Sequence, residues 1–120
     1  MQKKILHIDN GAESIKLVKT ILEAEGHTVF TAWDEKSSLI VIKNEKPDLV
    51  LLEVMMSDIS AWELYQKIKK INNNTKVVFL SSIPISKERK QDLIMSGIAD
   101  YIMKPFREEE LLKSVKTILY

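Results

Sequence analysis

The sequence contains no cysteine, only three glycines and three prolines, and no hydrophobic run approaching the ~18 residues that cross a bilayer. Without cysteine, disulfide bonds, thiolate metal sites and cysteine nucleophiles are excluded. Lys and Arg number 18 against 17 Asp and Glu, which excludes a nucleic-acid binder that relies on bulk positive charge. No segment predicts a signal peptide or a membrane helix, so we expect a cytoplasmic location.

The length of the chain favours one domain. Its 120 residues are enough for one hydrophobic core, and division into two would leave each half a very thin core. No Gly-, Ser- or Pro-rich stretch indicates a linker. We therefore predict a single domain over residues 1–120, and the sequence leaves open whether it stands alone or belongs to a longer protein.

Short apolar runs alternate with helix-period segments along the whole chain. The runs that predict strands are 5–8, 28–31, 48–52, 76–80 and 100–103. The segments that predict helices are 13–25, 34–45, 60–71, 86–96 and 107–119. The first, third and fourth runs are apolar without alternation, which indicates a parallel sheet covered on both faces. Right-handed crossovers then predict an α/β fold, a three-layer doubly wound (βα)5 sandwich.

Polar side chains stand where the predicted strands end. Asp9 follows the first strand, Glu53 the third, Ser81 the fourth and Lys104 the fifth. In doubly wound folds, function lies at this carboxyl edge. An oxygen-rich cluster suits a hard cation such as Mg²⁺, but the same residues are equally consistent with a salt bridge from Lys104 to Asp9 and Glu53. The spacing leaves both interpretations open.

Four stretches carry a family resemblance, namely 4–10, 47–56, 77–82 and 100–106. Together they make the chain resemble, over essentially its whole length, the response-regulator receiver domain of two-component signalling, of the chemotaxis-regulator type. Lys104-Pro105-Phe106 after the last strand is the most specific match. The resemblance implies a flavodoxin-like sheet of order 2-1-3-4-5, a cis peptide bond before Pro105 and a signalling module rather than an enzyme.

The resemblance also implies roles for individual residues. Ser81 and Lys104 stand at the positions that hold the phosphoryl group, and Tyr101 stands at the position of the switch aromatic. The positions that bind the metal ion are those of Asp9, Asn10, Glu53 and the backbone carbonyl of Met55. Glu53 also occupies the position of the aspartate that accepts the phosphoryl group from a histidine kinase.

Two of these residues depart from the family pattern. Glu53 replaces the acceptor aspartate and places its carboxylate one methylene, roughly 1.5 Å, further out. In-line attack on a phosphodonor tolerates little misplacement, and a ~1 Å error can cost ~10²-fold in rate. The longer side chain is also able to imitate the phosphorylated state by bonding Lys104 or Ser81. Asn10 replaces the second acid, so Mg²⁺ binding should be weak.

These departures predict a degenerate receiver, a pseudo-receiver that signals without phosphotransfer. Its partner would be a histidine kinase or a downstream effector, bound through the fourth helix, fifth strand and fifth helix, with neither nucleic acid nor membrane as a direct partner.

The first alternative is a working receiver with weakened Mg²⁺-dependent phosphotransfer, using Glu53 or the nearby Asp58. The second is a flavin or nucleotide binder, which the lack of a glycine-rich loop after the first strand disfavours. We expect His7 to be a packed, hydrogen-bonded core residue.

Overall fold

The computed structural model describes residues 2–56 and 59–120, in which five strands alternate with five helices. The strands are β1 (Lys4–Ile8), β2 (Thr28–Ala32), β3 (Leu49–Glu53), β4 (Lys76–Ser81) and β5 (Asp100–Met103). The helices are α1 (Ala12–Ala24), α2 (Glu35–Glu45), α3 (Ala61–Ile71), α4 (Lys87–Met95) and α5 (Glu108–Leu119). All ten predicted elements are confirmed, each within one residue at either end.

The five strands form one parallel sheet in the order β2-β1-β3-β4-β5. This confirms the doubly wound, flavodoxin-like order implied by the resemblance. The chain moves from β1 outward to β2 and then returns to β3 on the other side of β1, so the winding direction changes between β1 and β3. In such sheets a crevice opens at the carboxyl ends of the strands beside this change.

Helices cover both faces of the sheet, and each face has its own hydrophobic core. The core under α1 and α5 includes Ile5, Leu22, Leu51, Leu80 and Val115. The core under α2, α3 and α4 includes Ile42, Leu52, Leu64, Phe79 and Tyr101. Because successive side chains of a strand point to opposite faces, this alternation also decides the face to which each strand-end residue belongs.

Side-chain caps start three of the helices. Asp34, Ser60 and Ser86 each accept a hydrogen bond from the backbone N–H three residues later, at the first turns of α2, α3 and α4. Helices α3 and α4 differ in how they pack on the sheet. Helix α3 buries four side chains, whereas α4 has none that is fully buried. In the described part of the chain no helix has the length and hydrophobicity that spanning a membrane requires.

Candidate functional site

The register of the sheet brings the polar strand ends to one place. Ile8 pairs with Leu52, so Asp9 and Glu53 stand level at the next position of two neighbouring strands. Lys104 follows the last residue of β5 and precedes a cis peptide bond to Pro105. We call the resulting group of Asp9, Glu53 and Lys104 the polar cleft.

The ammonium group of Lys104 lies at the centre of the polar cleft. Its Nζ lies 3.1 Å from Asp9 Oδ2, 2.5 Å from Glu53 Oε1 and 3.0 Å from Ser14 Oγ, and donates to all three. An ammonium group has three N–H donors. Each donor therefore has an acceptor within the protein, and the salt bridge considered from the sequence is confirmed.

The remaining carboxylate oxygens also have donors. Asp9 Oδ1 accepts the backbone N–H of Gly11 at 2.9 Å, and Glu53 Oε2 accepts the backbone N–H of Met55 at 3.1 Å. Asp9 is 2% exposed and Glu53 is 8% exposed. Buried charges are tolerated when they are paired and hydrogen-bonded. Here each of the four carboxylate oxygens accepts a hydrogen bond from an N–H group.

The protonation states of the cleft follow from these contacts. Burial raises the pKa of Asp9, but the contacts with His7, the Gly11 N–H, Ser14 and Lys104 outweigh burial and hold that pKa well below its ordinary value. Burial lowers the pKa of Lys104, and its hydrogen bonds to Glu53 and Asp9 reverse this, so the net shift is upward. The pair of Asp9 and Lys104 is therefore ionic at neutral pH.

The polar cleft contains oxygen ligands of the kind that Mg²⁺ prefers, but their present arrangement does not fit the ion. Each oxygen of Asp9 and Glu53 already accepts an N–H, and Asn10 beside them is exposed and adds no charge. Among the described residues no group of three or more acidic or histidine side chains is placed to hold a metal. The weak Mg²⁺ binding expected from the sequence stays a prediction.

Ser81 and Tyr101 meet at a different point, the backbone of Ile83. Ser81 Oγ accepts the Ile83 N–H at 3.0 Å, and the Tyr101 hydroxyl donates to the Ile83 carbonyl at 2.9 Å. Strand alternation explains the separation, because Ser81 follows the pattern of Val77 and Phe79 on the α3–α4 face. Both side chains are buried, and Ile83 connects the phosphoryl-pocket position to the switch position.

His7 is fully buried, as predicted, but the prediction of a hydrogen-bonded ring is wrong. Its Nε2 lies 3.3 Å from Asp9 Oδ2, yet neither ring nitrogen has a well-formed hydrogen bond to a described residue. The core on its face of the sheet is apolar, and Asp9 is a polar group that the ring approaches. Asp58, the alternative acceptor, lies outside the described residues.

Sequence reasoning missed two participants, Ser14 and Ile83. Ser14 precedes the buried Val18 and Ile21 of α1 by four and seven residues, so helical periodicity placed it on the buried face. A polar residue on that stripe was the available signal. Ile83 acts through its backbone, and no side-chain pattern could have identified it.

The match to a family model settles the class of the chain. The model for the response regulator receiver domain matches residues 5–116. This chain belongs to the response regulator receiver family. The receiver domain is 32% identical over 122 residues to the Bacillus subtilis alkaline phosphatase synthesis transcriptional regulatory protein PhoP, with 99% of this chain and 49% of that protein covered.

Solved structures agree with this assignment. A two-component response regulator from Clostridium difficile superimposes with a TM-score of 0.87 at 31% identity, covering 98% of this receiver domain and 96% of that chain. A CheY-like receiver domain protein from Methanospirillum hungatei JF-1 also gives 0.87, at 30% identity, covering 99% and 94%.

The receiver domain spans about half the length of the curated relatives that it matches. Receiver domains interact with histidine kinases and effector domains, and they generally bind Mg²⁺ for phosphorylation. The recognition of the family and of its signalling class is thus confirmed. The state of the acceptor position is a separate question.

Proposed function

We propose that this receiver is degenerate and signals by protein–protein interaction without phosphotransfer, with Glu53 imitating a phosphorylated acceptor. The observation that carries the proposal is the 2.5 Å contact between Glu53 Oε1 and Lys104 Nζ. The extra methylene extends the carboxylate toward the lysine that the family resemblance assigns to the phosphoryl group. Glu53 thereby places a carboxyl group against that lysine without phosphorylation.

The same geometry disfavours attack by Glu53 on a phosphodonor. A nucleophilic carboxylate needs a free oxygen lone pair aligned with the phosphorus atom, and in-line attack tolerates little misplacement. Each Glu53 oxygen accepts one N–H group, which fixes the direction of its remaining lone pair, and all three Lys104 donors are engaged. Asn10 leaves the metal positions with one carboxylate fewer than the family pattern.

The contacts of Tyr101 support a permanently set output surface. Its ring is 5% exposed, and its hydroxyl is held by the Ile83 carbonyl. In this proposal a histidine kinase or downstream effector binds α4, β5 and α5, the protein is not an enzyme, and residues 1–120 act as one receiver domain. The cytoplasmic location stays a prediction.

The test is incubation of the full chain with Mg²⁺ and acetyl phosphate, followed by intact mass spectrometry. We expect no gain of a phosphoryl group. The double variant Asn10→Asp with Glu53→Asp restores the family's acidic pattern, and we expect it to gain one phosphoryl group that hydroxylamine removes. Failure of the double variant to be labelled would contradict the explanation based on these two residues.

The second candidate is a weakened but functional phosphoacceptor. The position of Glu53, level with Asp9 at the end of β3, favours it, because an acid does stand at the acceptor position. Under this alternative the unaltered chain gains a hydroxylamine-labile phosphoryl group, and Glu53→Gln abolishes the gain. Labelling that survives Glu53→Gln but not Asp58→Asn would assign the acceptor to Asp58.

A further inference from the structure

An open groove of about 500 Å³ lies between α3, the segment that joins β4 to α4, and α4 itself. The groove is on the face of the sheet that α3 and α4 cover. The side chain of Glu53 belongs to the opposite face, because it alternates in step with Leu49 and Leu51 of the same strand. Its apolar lining consists of Trp62, Phe79, Ile83, Ile85, Leu93 and Tyr101. This volume is within the ~300–1,000 Å³ of ligand pockets, which are mostly apolar with few polar groups.

The groove leaves apolar surface exposed to water. Trp62 is 37% exposed and Ile83 is 44% exposed, although both line it. Leu93 of α4 is only partly buried, because α4 contributes no fully buried side chain to close the groove. An apolar occupant of the groove would remove these side chains from water, which is favourable.

The charge at the groove has one sign. Arg89 lines it, is exposed, and forms no ion pair with any residue in the described ranges. The first turn of α3, which supplies Ala61 and Trp62 to the lining, adds the positive end of a helix dipole, and the Glu63 carboxylate of that turn, which is outside the lining, partly offsets it. An occupant complementary to this groove is apolar and carries a negative charge.

We propose that the groove binds a segment of a partner protein that presents an aromatic or branched aliphatic side chain next to a carboxylate. The apolar side chain would pack between Trp62 and Leu93, and the carboxylate would pair with Arg89. A protein segment fits best because receiver domains act through other proteins and the exposed groove residues are reachable by an extended chain. The inference goes beyond the proposed function, since it does not depend on the phosphorylation state of Glu53.

The groove is also joined to the switch position. Tyr101 forms part of its wall, and the hydroxyl of Tyr101 is bonded to the backbone of Ile83, another lining residue. A bound segment would therefore contact Ile83 and Tyr101, whose bond joins the groove to the buried Ser81 at the phosphoryl-pocket position.

The test is NMR titration of the full ¹⁵N-labelled chain with two neutral-ended dipeptides, N-acetyl-Phe-Asp-amide and N-acetyl-Phe-Asn-amide. We expect shift changes centred on Trp62, Ile83 and Leu93, and an affinity about threefold higher for the acidic probe, as a solvent-accessible ion pair provides. Arg89→Gln should remove this preference. Lys87→Gln is the matched control, because Lys87 is an exposed cation of the same helix outside the groove lining, and it should leave the preference intact.

A second variant tests the apolar part. Ile83→Ser changes an exposed side chain while keeping the backbone groups that bond Ser81 and Tyr101, so we expect weaker binding of both dipeptides with the fold retained. Three outcomes would overturn the inference: shift changes that map elsewhere, equal affinities for the two dipeptides, or groove shifts that depend on protein concentration alone and so indicate a second copy. Phenylacetate binding as tightly as the acidic dipeptide would also overturn it, in favour of a small aromatic acid.

Discussion

The polar cleft and the α3–α4 groove are two regions of one small molecule that treat their charged groups in opposite ways. In the cleft, two buried carboxylates and one ammonium group satisfy each other and nearby N–H groups completely. In the groove, Arg89 has no ion-pair partner among the described residues, and the side chains of Trp62 and Ile83 are partly exposed to water. The charged groups of the cleft are bonded within the protein, so the cleft serves the stability of the fold. The groove has a charge and apolar side chains without such partners, so its surface is suited to binding another molecule.

The difference follows from burial. A buried charge without a partner is costly, so the three charged residues of the cleft depend on one another for stability. An exposed arginine remains hydrated and costs nothing when unpaired. We therefore expect stability to depend strongly on the cleft and weakly on the groove, and the following predictions test this contrast.

Removing the ammonium group from the cleft should have the largest effect. Lys104→Met leaves two carboxylates facing each other, and we expect a loss of about 3 kcal/mol in the free energy of unfolding. The matched control is Lys67→Met, which breaks the exposed pair with Glu35 and should cost less than about 1 kcal/mol. Urea denaturation measures both. Equal losses would show that the cleft is no more demanding than the surface.

Lowering the pH should have the second-largest effect on stability, through the Asp9 carboxylate of the cleft. The pKa of Asp9 is depressed in the folded state, so its stabilising contribution is complete above the ordinary value of 3.8 and is lost as the pH falls toward the lower folded value. We expect the unfolding free energy to fall between about pH 5 and about pH 2, and to fall less steeply in Asp9→Asn. Urea denaturation across this range measures the slope, and identical slopes would contradict the assignment.

Crowding at Gly97, which follows the groove-lining Ser96, should cost less than breaking the cleft. Gly97 has φ +123°, and a Cβ there would lie 2.2 Å from the Tyr65 hydroxyl, whereas Gly26 has φ +89° and open space around it. Gly26→Ala should cost about 1 kcal/mol through backbone strain alone. We expect Gly97→Ala to cost about 1 kcal/mol more, and Tyr65→Phe in the same chain to recover part of that excess. Thermal unfolding compares the three chains.

The smallest effect on stability is expected from removing the charge of Arg89 in the groove. Arg89→Gln removes an exposed side chain without an ion-pair partner in the described part of the chain, so stability should change by less than about 0.5 kcal/mol. Urea denaturation checks this value. A loss comparable to that of Lys104→Met would mean that Arg89 serves the fold, and the contrast between the two regions would disappear.

Most of the fold was accessible from periodicity, whereas the site was accessible only in part. The apolar runs at 49–52 and 77–80 predicted two of the central strands, and the helix-period segments predicted helix bounds within one residue of those observed. The meeting of Asp9, Glu53 and Lys104 followed from strand ends in a parallel sheet. Strand alternation was enough to place Ser81 on the other face from that cluster. Its contact with the Ile83 backbone could not be predicted, because no side-chain pattern identifies a backbone partner.

By itself, the sequence determined the alternation of strands and helices and the polar residues that end the strands. These features depend on contacts within a few residues and on apolar spacing. Only the tertiary structure decided that Lys104 would use all its donors on Asp9, Ser14 and Glu53, and that α4 would leave a groove beside Arg89. Such contacts join side chains as far as 95 residues apart, and their geometry is set by how the layers pack.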